Sequence, residues 1–307
     1  MKKSQTNRKI HWLGSIPFFL VHLFSVVAVF FVPFRWELVA LCIGSYYLRM
    51  FGITAGYHRY FAHRAYKMGR APQFLMAFLG CTAVQKGPLW WAANHRIHHR
   101  FSDQPNDIHS PLQHGFWWSH VGWILSSQYD QTRSDQIQDW KSYPELQWLN
   151  KNYLFPVVIY ATAFYLAGGF AALVWGFFVS TVLLWHGTFT INSLSHVFGT
   201  TRYTTTDTSK NNPWLAIVTM GEGWHNNHHC YMSSANQGFF WWEYDVSFWI
   251  LKLLSLAGVV SDLRKPPLKL LETKRVQSKT VKLPKSFPHT QTASPLHIER
   301  VRLLERA

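Results

Sequence analysis

The chain has 307 residues, with 30 Lys and Arg against 15 Asp and Glu, a formal charge of +15, and 16 Trp, 13 Tyr and 23 Phe. Its apolar share of 48% excludes a disordered protein, and three scattered cysteines, Cys42, Cys81 and Cys230, exclude a disulfide framework or a zinc ribbon. The aromatic excess suits a membrane–water interface better than a nucleic-acid-binding face. A mean hydropathy of −0.07 divides the chain between spanning helices and a large aqueous part.

In chain order, residues 11–32 are nearly all apolar, carry no Lys, Arg, Asp or Glu, and are long enough to cross the hydrocarbon. Lys2, Lys3, Arg8 and Lys9 precede them and place the N-terminus in the cytoplasm. After Pro33-Phe34-Arg35 a second span is expected at 36–57, with Arg49 snorkelling or facing a polar interior. Residues 58–150 are too polar to span, and their longest apolar run, Pro72 to Val84, is too short. Spans at 153–172 and 173–194 form a second hairpin, with Gly168-Gly169 near its turn, and four crossings return the chain to its starting side. Phe239 to Val260 is interrupted by Glu243, Asp245 and Lys252, which favours a surface amphipathic helix over a fifth span. From Arg264 the chain holds eleven Lys or Arg against three Glu, with five prolines, and reads as a basic, flexible tail, 264–307, beyond a membrane domain at 1–263.

Nine of the 17 histidines fall into a few short motifs: His58 and His63; His95, His98 and His99; His196; and His225, His228 and His229. On a helix, offsets of three and four return to one face, so each H-x-x-H-H run is expected to aim its imidazoles at one centre. One such run arises by chance in roughly one sequence in twenty of this histidine content, and two are far rarer. The offset of five between His58 and His63 separates them on a regular helix, so that pair sits where a helix ends or serves two metals. Asn192 lies four residues before His196 and shares its face. Because an even number of spans separates the motifs, all nine histidines reach one side of the membrane. Nine imidazoles exceed the four ligands of one zinc, so two metals are implied; nitrogen ligands alone leave Fe, Zn, Cu and Ni open. Glu222, Asp103 and Asp107 stand near enough in sequence to hold the distal ring nitrogens. His11, His22, His109, His114, His120, His186, His289 and His297 stand alone and read as ordinary packing or capping residues.

The boxes H-x4-H, H-x2-H-H and H-x2-H-H, with the stretches GITAGYHRYFAHRAYK, WWAANHRIHHRFSD, GFWWSHVGWIL, NSLSH and GEGWHNNHHCYM, resemble the membrane fatty-acid desaturases of the stearoyl-CoA (Δ9) branch over residues 15–263. That resemblance implies an all-α integral-membrane fold: four transmembrane helices in two hairpins under a cytoplasmic helical cap that holds a dimetal site. It implies two non-haem iron ions ligated by His58, His63, His95, His98, His99, His196, His225, His228 and His229, with Asn192 as a direct or water-mediated ligand. The activity it implies is O₂-dependent insertion of a cis double bond, Δ9 expected, into a long-chain acyl substrate. A CoA thioester is the favoured carrier and a lipid-linked chain the other.

Between Ala92 and His95 the chain lacks the charged pair of the animal acyl-CoA enzymes. With no haem module, Cys₄ set or G-x-G-x-x-G fold in the sequence, electrons are expected from a separate ferredoxin- or cytochrome b5-type donor. Selecting one methylene pair requires an apolar tunnel that measures distance from the head group, with Trp90, Trp91, Phe116, Trp117, Trp118 and Trp123 as candidate walls. The rival readings are a histidine-box hydroxylase, ketolase or alkane oxidase, and a metal transporter. A transporter would carry its histidines within the spans rather than at their ends.

Overall fold

A computed structural model describes residues 9–276. Three helical stretches are long and apolar enough to cross a membrane: Trp12–Val29, Trp36–Ala62 and Leu154–His196. The first is α1 (Trp12–Val29). Leu13, Leu20, Leu23 and Val26 on its outer side are each more than half exposed, a surface that only an apolar surrounding accommodates. The second combines α2 (Trp36–Phe51) with a π-helical stretch, Gly52–Ala62, that continues it without a break. The third combines α8 (Leu154–Ala172), a second π-helical stretch (Leu173–Val179) and α9 (Ser180–Asn192).

At 1.5 Å per residue the third stretch would reach about 65 Å if straight. It is broken at Gly168 and at Gly169, where φ is 63° and ψ −156°, a region essentially reserved for glycine. Beyond the break the chain runs back: the Tyr160 hydroxyl and the Gly176 carbonyl both meet Ser45 Oγ, at 2.9 and 2.5 Å. The reversal thus falls at the two glycines rather than between Ala172 and Leu173. Arg49 is fully buried and donates to Thr181 Oγ1 (2.6 Å), Ser180 Oγ (2.5 Å) and the Thr82 carbonyl (3.2 Å). It faces a polar interior and does not snorkel.

The polar middle of the chain folds into short helices: α3 (Arg70–Cys81), α4 (Pro88–Phe101), α5 (Pro111–His114), α6 (Phe116–His120) and α7 (Pro144–Lys151). After α9 come α10 (Pro213–Val218), α11 (His225–Cys230), α12 (Val246–Leu256) and α13 (Leu268–Lys274). α12 is short of a span and starts where the Asp245 carboxylate accepts the Phe248 N–H. Buried Tyr57, Phe61, Leu89, Trp140, Leu146, Leu149 and Leu251 form the main core around the first π-helical stretch. A two-strand ladder, β1 (Lys67–Met68) antiparallel to β2 (Val260–Ser261), joins the end of that stretch to the chain beyond α12.

The flexible tail expected from Arg264 does not begin there. Arg264 N–H donates to the Ala65 carbonyl at 3.0 Å, and Thr204 N–H donates to the Lys274 carbonyl at 2.8 Å. These backbone bonds tie 264–276 to the rest of the domain. Residues 277–307, with His289 and His297, lie outside the described residues, as do Lys2, Lys3 and Arg8.

Candidate metal centre

The nine histidines converge in two groups. His58, His63, His95, His99 and His228 bring one nitrogen each within 4.8 Å of the others; His98, His196, His225 and His229 do the same. Each H-x-x-H-H run is therefore divided between two centres, against the expectation of one centre per run. His95 and His99 join the first group and His98 the second; His225 and His229 join the second and His228 the first.

His58 and His63 fall in one group because their segment is a π-helix. His63 N–H donates to the His58 carbonyl at 3.1 Å, an i→i+5 bond. That wider turn brings an offset of five back to the same side, so the pair serves one centre and not two.

In the first group the Nε2 atoms approach closely: His58 to His228 at 3.0 Å, His63 to His95 at 2.9 Å, His95 to His99 at 2.9 Å and His99 to His228 at 3.0 Å. A neutral imidazole Nε2 carries either a proton or a lone pair, so this chain of contacts is not satisfied by simple N–H···N bonds. A shared cation satisfies all five lone pairs. With metal–nitrogen bonds of about 2.1 Å, ligands at right angles stand about 3.0 Å apart and tetrahedral ones about 3.4 Å. The observed separations are those of nitrogens close enough to share one cation. In the second group His196 and His225 Nε2 atoms are 3.1 Å apart, and the buried Nε2 of His229 has no protein partner. The residues present thus fit two cations.

Four carboxylates hold the distal nitrogens. Glu222 Oε2 is 2.7 Å from His58 Nδ1, Asp107 Oδ1 3.0 Å from His98 Nδ1, Asp103 Oδ2 3.1 Å from His196 Nδ1, and Asp207 Oδ2 2.6 Å from His229 Nδ1. Asp107, Asp103 and Asp207 each accept a hydrogen bond that fixes the ring with the proton on Nδ1 and the lone pair toward the centre, while Glu222 meets His58 as an ion-pair contact. Sequence proximity points to Asp103, Asp107 and Glu222, but only Asp107 holds a ring of the motif it stands beside; Asp103 reaches His196 and Glu222 reaches His58, and Asp207 gives no such signal. Glu222 also accepts from Arg59 Nε at 3.0 Å, and Arg59 Nη1 donates to both oxygens of Asp245 at 2.9 Å, so a fully buried guanidinium sits between two carboxylates behind His58.

Burial first, and neighbouring imidazoles second, hold His63, His95, His99, His225 and His228 far below the usual histidine pKa. Their rings are neutral, with lone pairs free, at pH 7. His229 is lowered by burial to about 4 against the opposing pull of Asp207. Burial alone would raise Asp103, Asp107 and Asp207, but their histidine partners hold all three below the ordinary carboxylate range.

A cavity of about 360 Å³ reaches the first group at His95. Trp90, Trp91, Trp123, Trp185 and Phe189 line it, with Phe18 and Val21 of α1; Phe116, Trp117 and Trp118 do not. Asn192 lines the cavity alongside His95, as do Asn94 and His109. His120 and His186, expected to stand alone, bond to each other at 3.0 Å, and His186 to His22 at 3.1 Å, joining α1 to α9.

Two groups of buried imidazoles backed by carboxylates, at the end of an aromatic cavity beside apolar helices, make a candidate metal centre. The fatty acid desaturase family matches residues 34–255. The chain is 36% identical to a delta-9 acyl-lipid desaturase of Arabidopsis thaliana over 84% of each chain. It is 34% identical to an sn-2 palmitoyl-lipid 9-desaturase of Nostoc sp. (strain 36) over 84% of this chain and 92% of the relative. To an acyl-CoA 5-desaturase of Anemone leveillei it is 36% identical over 80% and 77%. The protein belongs to the membrane fatty-acid desaturase family, and is an oxidoreductase that desaturates acyl chains.

Proposed function

We propose that this protein inserts a cis double bond, at the Δ9 position, into a long-chain acyl substrate at a centre of two iron ions. The observation that carries this reading is the pair of histidine groups meeting an aromatic cavity at His95. Per double bond, one O₂, two electrons, two protons and two hydrogens of the acyl chain give two waters. Bound iron supplies the oxidising power that an unactivated C–H bond demands.

The chain's own residues do the rest. The five-histidine group would hold one ion and His98, His196, His225 and His229 the other, with Asn192 completing a ligand set directly or through water. Trp91, Trp123, Trp185 and Phe189 enclose the acyl chain and exclude water from the reacting carbons. Asp103, Asp107, Asp207 and Glu222 keep the ligand rings oriented without a ligand role of their own.

Of the charged residues described along the cavity, Lys86 is bound to Asp130 at 2.6 Å, and no other Lys or Arg is present. CoA asks for several cations to meet its phosphates. The lining therefore supports a lipid-linked chain over the CoA thioester that the sequence favoured. Our reading has four crossings, with the centre and both termini on the cytoplasmic side, a separate ferredoxin- or cytochrome b5-type electron donor, and a desaturase domain that runs past 263 to 276.

The test is His98→Ala in cells whose lipids are then analysed by mass spectrometry, with metal content measured on the purified protein. Wild type is expected to hold two irons and to produce a Δ9 alkene, and the variant to insert in the membrane and leave lipids saturated. Retained unsaturation in the variant would refute the ligand assignment. An oxygen inserted by wild type would instead favour the hydroxylase rival.

A further inference from the structure

His109 is not one of the nine histidines, yet it stands at the centre. It is 3% exposed and lines the cavity with His95, Asn94 and Asn192. Its ring stacks on that of His98, centroids 4.3 Å apart, and leans on Trp123 at 5.1 Å. Its Nδ1 is enclosed and meets no protein partner. Leaving such a group unpaired is costly, and a Phe of similar shape would fill the place without that cost. A buried polar ring kept in these surroundings calls for a ligand.

A third cation shared by His98, Asp107 and His109 is one option, since the three come within 4.8 Å. The carboxylate speaks against it. Asp107 already accepts from His98 Nδ1 with both oxygens at 3.0 Å, from Asp103 N–H at 2.9 Å and from His109 N–H at 3.3 Å. A cation there would take Asp107 from His98 and loosen the second histidine group. The ligand that suits one neutral nitrogen between an imidazole and an indole is small, neutral and able to hydrogen-bond.

We propose that His109 is a positioning residue that anchors a water molecule at the metal-facing end of the cavity. Through that water two solvent protons per turnover reach the centre, and product water leaves by the same place. The inference rests on the desaturase reading. Two electrons from the donor protein, two protons from solvent and two hydrogens from the acyl chain reduce one O₂ to two waters as one C=C forms.

The experiment compares His109→Phe and His109→Gln in the full-length enzyme, reconstituted in vesicles with a reduced ferredoxin-type donor. Iron per chain, O₂ consumed per double bond, peroxide release and the solvent deuterium isotope effect are measured. His109→Phe is expected to keep two irons and to turn over about ten- to a hundredfold more slowly. It should release peroxide, with more than one O₂ consumed per double bond and an enlarged isotope effect. His109→Gln, which keeps a hydrogen-bonding group, should recover most of the coupling. Zinc-loaded wild type should show, at high resolution, an ordered water within hydrogen-bond reach of the ring.

A fully coupled His109→Phe enzyme overturns the proposal. So does loss of iron in step with loss of rate, which would make His109 a ligand or a prop. Absence of any double bond with wild type, before a variant is compared, overturns the desaturase reading and this inference with it.

Discussion

Asp207→Asn probes the second histidine group through a residue that touches no metal. Asp207 Oδ2 meets His229 Nδ1 at 2.6 Å, while its Oδ1 accepts from Ser209 N–H (3.0 Å), Ser209 Oγ (2.5 Å) and Thr205 Oγ1 (3.0 Å). Asparagine fits neither way round. With its oxygen toward His229, its NH₂ faces the Ser209 N–H, an obligate donor left unpaired, and both hydroxyls must turn to accept. With the amide flipped, NH₂ faces His229 Nδ1, which must then give up its proton, and the proton moves to the Nε2 that should carry the lone pair.

Losing such a partner weakens metal binding about 10- to 100-fold, or about 1.4–2.7 kcal/mol. Asp207 bonds to His229 of the second group, so the five-histidine group should change little. Competition between the metal-free protein and a fluorescent chelator for Co²⁺, fitted to two sites, reads both constants. The reasoning is refuted if Asp207→Asn binds two ions with wild-type affinity, or if the tighter and weaker sites fall together.

Two further outcomes follow from the same architecture. Arg59→Met would leave Glu222 and Asp245 buried without their shared guanidinium, a loss of about 3–5 kcal/mol; Arg59→Lys should recover little, because a single ammonium does not span both carboxylates. Thermal unfolding in detergent checks this, and an unchanged midpoint for Arg59→Met would contradict it. Metal-free protein should lose stability as pH falls from about 6.5 toward 4. His229 titrates near 4 when folded against about 6.5 when unfolded. Between those values the unfolded chain binds more protons, so stability rises with pH. A midpoint constant across that window would show that the cluster is not held neutral by burial.

The sequence made the membrane-crossing stretches and the nine histidines legible, because hydropathy and residue type need no long-range information. It put Gly168-Gly169 near the turn of the second hairpin but drew the boundary between the two spans at Ala172 and Leu173, since an apolar run stays apolar through a glycine pair and only φ of 63° at Gly169 fixes the turn. Asp207 was invisible for the opposite reason: its role comes from a loop folding onto α11, and nothing in its neighbourhood along the chain says so.

The division of the histidine runs was open to derivation. At 100° per residue, positions i and i+4 stand 40° apart on a helix while i+3 lies 60° to the other side. An H-x-x-H-H run therefore spans an arc of about 100°, too wide for three ring nitrogens to meet one ion at right angles but suited to two ions side by side. His95 with His99, and His225 with His229, are the i,i+4 pairs, and each pair stays together; His98 and His228 are the outliers, and each crosses to the other ion's group. The two runs thus exchange one ligand each, which couples the two centres through α4 and α11. Displacing either helix would disturb both histidine groups at once.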